Sequence, residues 1–202
     1  ATEQTYAFTD RGGRMVAIRP EMTPSISRMV AARRQELGYP ARLYSVANFM
    51  RYERPRRGRE REFWQLNVDM FGVETMRAEA EIITLGDKIM KAFGATDDMY
   101  TIRVNNRKLI NVMMAQYLGL DAVQAQLMIK LFDRKNKVSP EDFRDQAIEI
   151  FGKDMADVGL MKLSLLLSAK SMADLPTEIL DSAVVMEVRD LFSLLERAGV
   201  KS

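Results

Sequence analysis

The stretch that most constrains the fold is an apolar-alternating run ending in Arg51 and Glu53, a loop carrying Arg54, Arg56, Arg57, Arg59 and Arg61, and a second alternating run opening at Phe63. Period-two alternation on both sides of a polar loop predicts two antiparallel strands, over 42–53 and 63–72, joined by a basic turn. Successive side chains point to opposite faces, so Phe49, Arg51 and Glu53 share a face, as do Phe63, Gln65, Asn67, Asp69 and Phe71. The other face of the second strand, with Trp64, Leu66, Val68 and Met70, is apolar and is expected to meet the core. The first face is costly to bury unless its guanidinium, carboxylates and carboxamide find partners, and a polar ligand would supply them. A basic hairpin can equally be a solvated ribbon or a grip on nucleic-acid phosphates. The order Arg-x-Glu before the loop and Phe-x-Gln-x-x-x-Asp after it favours a specific site.

Upstream, Tyr6–Asp10 and Met15–Arg19 flank Arg11-Gly12-Gly13-Arg14, which predicts a first hairpin with glycine in the turn. Pro20 ends it. Thr23 stands at an N-cap position, Pro24 at the first helical position and Gly38 at the stop, giving a helix over 24–37 with Ile26, Met29, Val30 and Leu37 inward. Glu21 and Thr23 sit beside its positive terminus, as a dipole-favoured carboxylate and a cap. A helix follows over 78–93, stopped by Gly94, then a strand over 100–104.

From about Arg107 every pattern is helical. Helices are expected over 108–118, from a cap at Asp121 to about Asp133, from Ser139-Pro140 to Phe151, through the apolar 160–169, and from a cap at Thr177 to about Arg197. The change from strand-rich to helical near residue 105 divides the chain into 1–105 and 106–202.

The 202 residues hold no cysteine and no histidine, which removes disulfides, thiolate metal sites, His-ligated zinc and Ser-His-Asp catalysis. The absence of cysteine fits a reducing cytoplasm. No apolar run approaches the roughly 18 residues that span a bilayer, so no membrane partner is expected. A net charge of +2 gives no general grip on nucleic acid, and the basic character is local. The chain starts at Ala1 with residues that read as a strand edge, and is expected to be a piece of a longer polypeptide.

Phe49-Met50-Arg51-Tyr52-Glu53-Arg54-Pro55 and Gly58-Arg59-Glu60-Arg61-Glu62-Phe63-Trp64-Gln65-Leu66 resemble motif 2 of the class II aminoacyl-tRNA synthetases in its histidyl-tRNA synthetase form. Arg19-Pro20-Glu21-Met22-Thr23-Pro24 resembles that family's histidine-binding segment, and Asn105-Asn106-Arg107-Lys108 its Asn-Asn-Arg-Lys segment. The resemblance implies an α+β fold, a class II antiparallel sheet flanked by helices, followed by an all-helical insertion domain. It implies a histidine–tRNA ligase that makes histidyl-adenylate from histidine and ATP and transfers the histidyl group to tRNA(His), with Mg²⁺ at the ATP phosphates and a homodimer in the parent protein. Arg51 would bridge the substrate carboxylate and the α-phosphate as the catalytic residue. Glu21 and Thr23 would hold chiefly the α-ammonium group of histidine, joined by Met22 and Gln65, and Asp69 would read its imidazole, while Glu53, Arg59 and Phe63 would take the adenine amino group, the terminal phosphates and the adenine ring. Met22 stands where many members have glycine, and Asp69 is one methylene shorter than the usual glutamate. Motif 1, the second histidine segment, motif 3 and the anticodon domain have no counterpart in these residues. The regulatory subunit of ATP phosphoribosyltransferase, which shares the fold but binds rather than catalyses, is the alternative.

Overall fold

The computed structural model describes residues 4–169 and 171–201; the expected strand edge at the first three residues lies outside them. The chain forms two compact units, residues 1–78 and 79–202, and the expected boundary near residue 105 falls within the second.

In the first unit, β1 (Ala7–Thr9) and β2 (Met15–Ala17) pair antiparallel with Phe8 opposite Val16. Asp10 organises the turn: its Oδ1 accepts from the Gly12 and Arg14 amides at 2.8 and 2.9 Å, and its Oδ2 accepts from Arg14 Nε at 2.9 Å. These bonds to the ionised form hold its carboxyl below the usual range. Gly13, at φ 76°, supplies the positive-φ residue that the turn requires.

Helix α1 (Thr23–Ala32) begins one residue earlier than expected, and its N-cap is Met22, with no side-chain capping bond. Thr23 is therefore not the cap. The helix also ends five residues short of Leu37, because Arg33, Arg34, Gln35 and Glu36 are all exposed and offer no apolar face to pack. Met29, expected inward, is 58% exposed, leaving Val30 as the buried residue of the helix.

The second hairpin, β3 (Ala41–Met50) and β4 (Glu62–Phe71), pairs antiparallel along its full length, with Phe49 opposite Phe63, Ala47 opposite Gln65, Ser45 opposite Asn67 and Leu43 opposite Asp69. In place of the single expected sheet, the described strands form two separate two-stranded antiparallel ladders, tied by backbone bonds from Met50 N to Arg19 O (3.4 Å) and Tyr52 N to Gln4 O (2.9 Å). The assignment of faces reverses. Trp64 is 72% and Leu66 44% exposed, beside Tyr44 at 77%, whereas Phe49 on the polar face is fully buried. What lies over each face decides this: the Arg19 guanidinium lies over the Phe49 ring at 5.5 Å, with Phe63 across the ladder from it, whereas Trp64 and Tyr44 stay exposed.

The second unit is helical. α2 (Arg77–Ala92) precedes a segment, residues 101–106, with no regular structure; the expected strand at 100–104 has no ladder partner among the described residues. Instead Tyr100 donates its hydroxyl to the buried Asp87 of α2 at 2.5 Å, and Lys91 pairs with the same carboxylate at 2.9 Å and with Asp97 at 3.0 Å.

α3 (Arg107–Asn111) runs directly into a π-wound segment, Val112–Tyr117, closed by Leu118 N to Met113 O at 2.9 Å. That wider winding, illegible in the sequence, carries Val112, Met114 and Tyr117 into buried positions. α4 (Ala122–Asp133) opens on the Asp121–Gln124 capping box, and α5 (Pro140–Phe151) on Ser139, as expected. α6 (Ala156–Ser168) is followed by α7 (Thr177–Leu180) and α8 (Ala183–Arg197). The expected single last helix is thus broken, with Ser182 rather than Thr177 capping the long part. Met114, Tyr117, Met128, Leu131, Phe143, Phe151, Leu163, Ile179 and Val185 form the core.

Candidate functional site

The expected site residues all lie in the first unit, and the end of the hairpin ladder organises them. Beyond β3 the ladder continues for one bond, Arg51 N to Arg61 O at 2.8 Å, which fixes the Arg51 backbone opposite the return of the loop. Arg51 and Glu53 thus stand just past the strand rather than within it. The Arg51 guanidinium lies 4.9 Å from the centroid of the Phe63 ring, and Nε donates to Pro20 O at 3.0 Å. This bond joins the hairpin to the segment that carries Glu21, Met22 and Thr23. With Nε held, the fork keeps its terminal N–H donors for an anion. Phe63 is itself seated against the buried Phe49, ring centroids 6.1 Å apart.

Glu53 and Arg59, expected to meet opposite ends of ATP, meet each other. Arg59 donates through Nε and, at 2.8 Å, through a terminal nitrogen to the Glu53 carboxylate. The Arg59 hydrogen bond first, and the nearby positive charges of Arg59, Arg51 and Arg56 after it, hold the Glu53 carboxyl below its usual range against the opposing effect of burial. Arg61 donates to Glu53 O at 3.0 Å and lies over the Tyr52 ring at 5.1 Å, while Gly58 at φ 73° turns the loop between Arg56 and Arg59. The loop is thus partly self-bonded.

Farther along β4, Gln65 Nε2 donates to Asn67 Oδ1 at 3.3 Å, and Asn67 Nδ2 donates to Asp69 Oδ2 at 2.5 Å. Gln65 and Asp69 were expected; Asn67 as their link was not, although its place on the same strand face was the available signal. From Phe63 to Asp69 the face runs about 20 Å, at the usual rise per residue of a strand. Ser45, opposite Asn67, has a buried hydroxyl oxygen with no hydrogen-bond partner among the described residues. Glu21 and Thr23 have no side-chain partner among the described residues either, so Thr23 keeps its hydroxyl free of capping duty.

A family model described as histidyl-tRNA synthetase matches residues 1–148. The histidine–tRNA ligase of Leptospira biflexa is 37% identical over 198 residues, covering 98% of this chain and 45% of the relative. The chain belongs to the histidyl-tRNA synthetase family. The histidine–tRNA ligase of Thermococcus kodakarensis is 35% identical over 202 residues, covering 96% of this chain and 44% of the relative, so the chain spans less than half the length of these synthetases.

Among solved structures, a Bacillus halodurans C protein described as an ATP phosphoribosyltransferase regulatory subunit/histidyl-tRNA synthetase matches 99% of this chain and 51% of its own at TM-score 0.76 and 24% identity. A histidyl-tRNA synthetase from Nostoc sp. PCC 7120 matches 98% of this chain and 46% of its own at TM-score 0.72 and 19% identity. At these identities the two structures establish the shared fold alone. Among the described residues no helix is long and apolar enough to cross a membrane.

Proposed function

We propose that these residues form part of the catalytic core of a histidine–tRNA ligase, which activates histidine with ATP and passes it to tRNA(His). The observation that carries the reading is the setting of Arg51: its guanidinium rests on Phe63, its Nε is tied to Pro20 O, and it stands between the Glu21-Met22-Thr23 segment and the basic loop. Attack of a carboxylate on a phosphorus needs no enzyme nucleophile, only orientation and stabilisation of the charge on phosphorus, so a site without His or Cys is adequate. A held guanidinium suits this because its planar fork meets two anions at once.

In this reading Phe63 stacks on adenine, Glu53 accepts from its amino group and Arg59 meets the terminal phosphates. The Glu53–Arg59 pair must therefore open when ATP binds, each partner exchanging the other for a group of the nucleotide. Glu21, Thr23 and Gln65 gather around the α-ammonium end of histidine beside Met22, and Asp69 accepts from the imidazole ring. Among the described residues no three Asp or Glu side chains converge to hold a cation. The Mg²⁺ expected in this reading would be carried by the ATP phosphates beside Arg59. A homodimeric parent in the cytoplasm is part of the same proposal.

The regulatory-subunit reading draws support from the Bacillus halodurans relative, whose description carries both names. The presence of Arg51, Glu53, Arg59 and Phe63 together favours the ligase. Histidine-dependent ATP–pyrophosphate exchange by the complete gene product tests this. Arg51→Ala is expected to lower it about 100- to 1,000-fold, the loss typical of one preorganised charge-stabilising donor. Exchange retained within a few-fold, or none in the wild type, refutes the assignment.

A further inference from the structure

We propose that Asn67 is a positioning residue that aims the Asp69 carboxylate at the substrate side chain, an inference that rests on the ligase reading above. Residues two apart on a strand point the same way with Cα atoms about 7 Å apart, so Gln65, Asn67 and Asp69 form a row on one face. The two bonds along that row run in one direction: Gln65 Nε2 to Asn67 Oδ1 at 3.3 Å, then Asn67 Nδ2 to Asp69 Oδ2 at 2.5 Å. Hydrogen bonds chained in this way polarise and strengthen one another.

An ionised carboxylate accepts only, and its second oxygen has no partner among the described residues. Asn67 therefore fixes one oxygen and leaves the other to accept from a ring N–H. The same amide explains how a short side chain can serve. Aspartate has little reach, and a neighbour that locks its carboxylate plane recovers in orientation what the missing methylene gives up in reach. Across the ladder stands Ser45, small enough to leave Asn67 room, with its hydroxyl oxygen buried and unbonded.

The test uses the complete gene product and pyrophosphate exchange, with Asn67→Leu, Asn67→Val and Asp69→Ala, and with histidine, ATP and thiazolylalanine, a ring analogue without an N–H, as varied substrates. Valine suits a strand and serves if the leucine variant does not fold. Loss of one charge-assisted hydrogen bond predicts that KM for histidine rises about tenfold in the Asn67 variants, with kcat and the KM for ATP within twofold. The wild-type preference for histidine over thiazolylalanine should fall by the same factor. A merely structural role would lower both substrates equally, and that result overturns the proposal. A raised histidine KM in Asp69→Ala with none in either Asn67 variant also overturns it while leaving the ligase reading intact. Unchanged histidine kinetics in Asp69→Ala removes Asp69 from the substrate site and the proposal with it.

Discussion

Gly159→Ala in α6 sets two effects against each other. Replacing glycine in a helix interior by alanine ordinarily stabilises by about 0.5–1 kcal/mol, because alanine has less backbone freedom to lose. Here a β-carbon would stand 2.5, 2.6 and 2.7 Å from Cδ1, Cγ and Cε1 of Phe151, far inside the roughly 3.5–4.0 Å of carbon–carbon contact. Phe151 is the last residue of α5, 5% exposed and part of the core, so its ring can retreat only by displacing packed neighbours. Overpacking of this kind costs about 1–3 kcal/mol, so at the middle of both ranges the helix gain leaves a net loss of about 1 kcal/mol. Gly86→Ala in α2 is the control, since nothing lies within 4 Å of the β-carbon it would add. That variant should gain the full 0.5–1 kcal/mol. Both positions lie in the unit 79–202, so urea unfolding followed by circular dichroism reads them on one transition. With a slope of about 2 kcal/mol per molar urea, the Gly159→Ala midpoint should fall by roughly 0.5 M while that of Gly86→Ala rises. A Gly159→Ala midpoint at or above the wild type would refute the close approach of α6 to α5.

Two further tests address the same unit. Ser182→Ala should lower its stability by about 1 kcal/mol, because the Ser182 hydroxyl accepts from Val185 N at the start of α8, whereas Thr177→Ala should change little; equal effects in urea melts would contradict the break between α7 and α8. The Asp87 carboxyl is held below its ordinary value of 3.8, by the Tyr100 hydroxyl first and Lys91 second, against burial. A lowered folded-state value gives stability that is present above the unfolded value and lost as pH falls through the folded one, so wild-type stability should drop more steeply than that of Asp87→Asn below about pH 4. Parallel acid limbs in unfolding experiments at stepped pH would show that Asp87 carries no such linkage.

What the sequence determined by itself is local. The strand–loop–strand over the basic loop, the Asp121–Gln124 capping box, the Ser139-Pro140 opening of α5 and the site motifs in their order are readable because each rests on residues a few positions apart. Tertiary structure decided which apolar groups find a cover and which polar groups find a partner. Trp64 and Phe49 are equally apolar in the sequence, yet only Phe49 is buried, because burial depends on what lies across the ladder and over the face. Residues 100–104 carry a strand pattern and form none, since a strand exists only with a neighbour to share its backbone bonds. The Glu53–Arg59 pair, the Arg51–Pro20 bond 31 positions apart in the chain and the contact of Gly159 with Phe151 have no local signature at all. They arise from groups that meet only once the backbone has closed, and the first two set the aim of Arg51, Glu53 and Arg59.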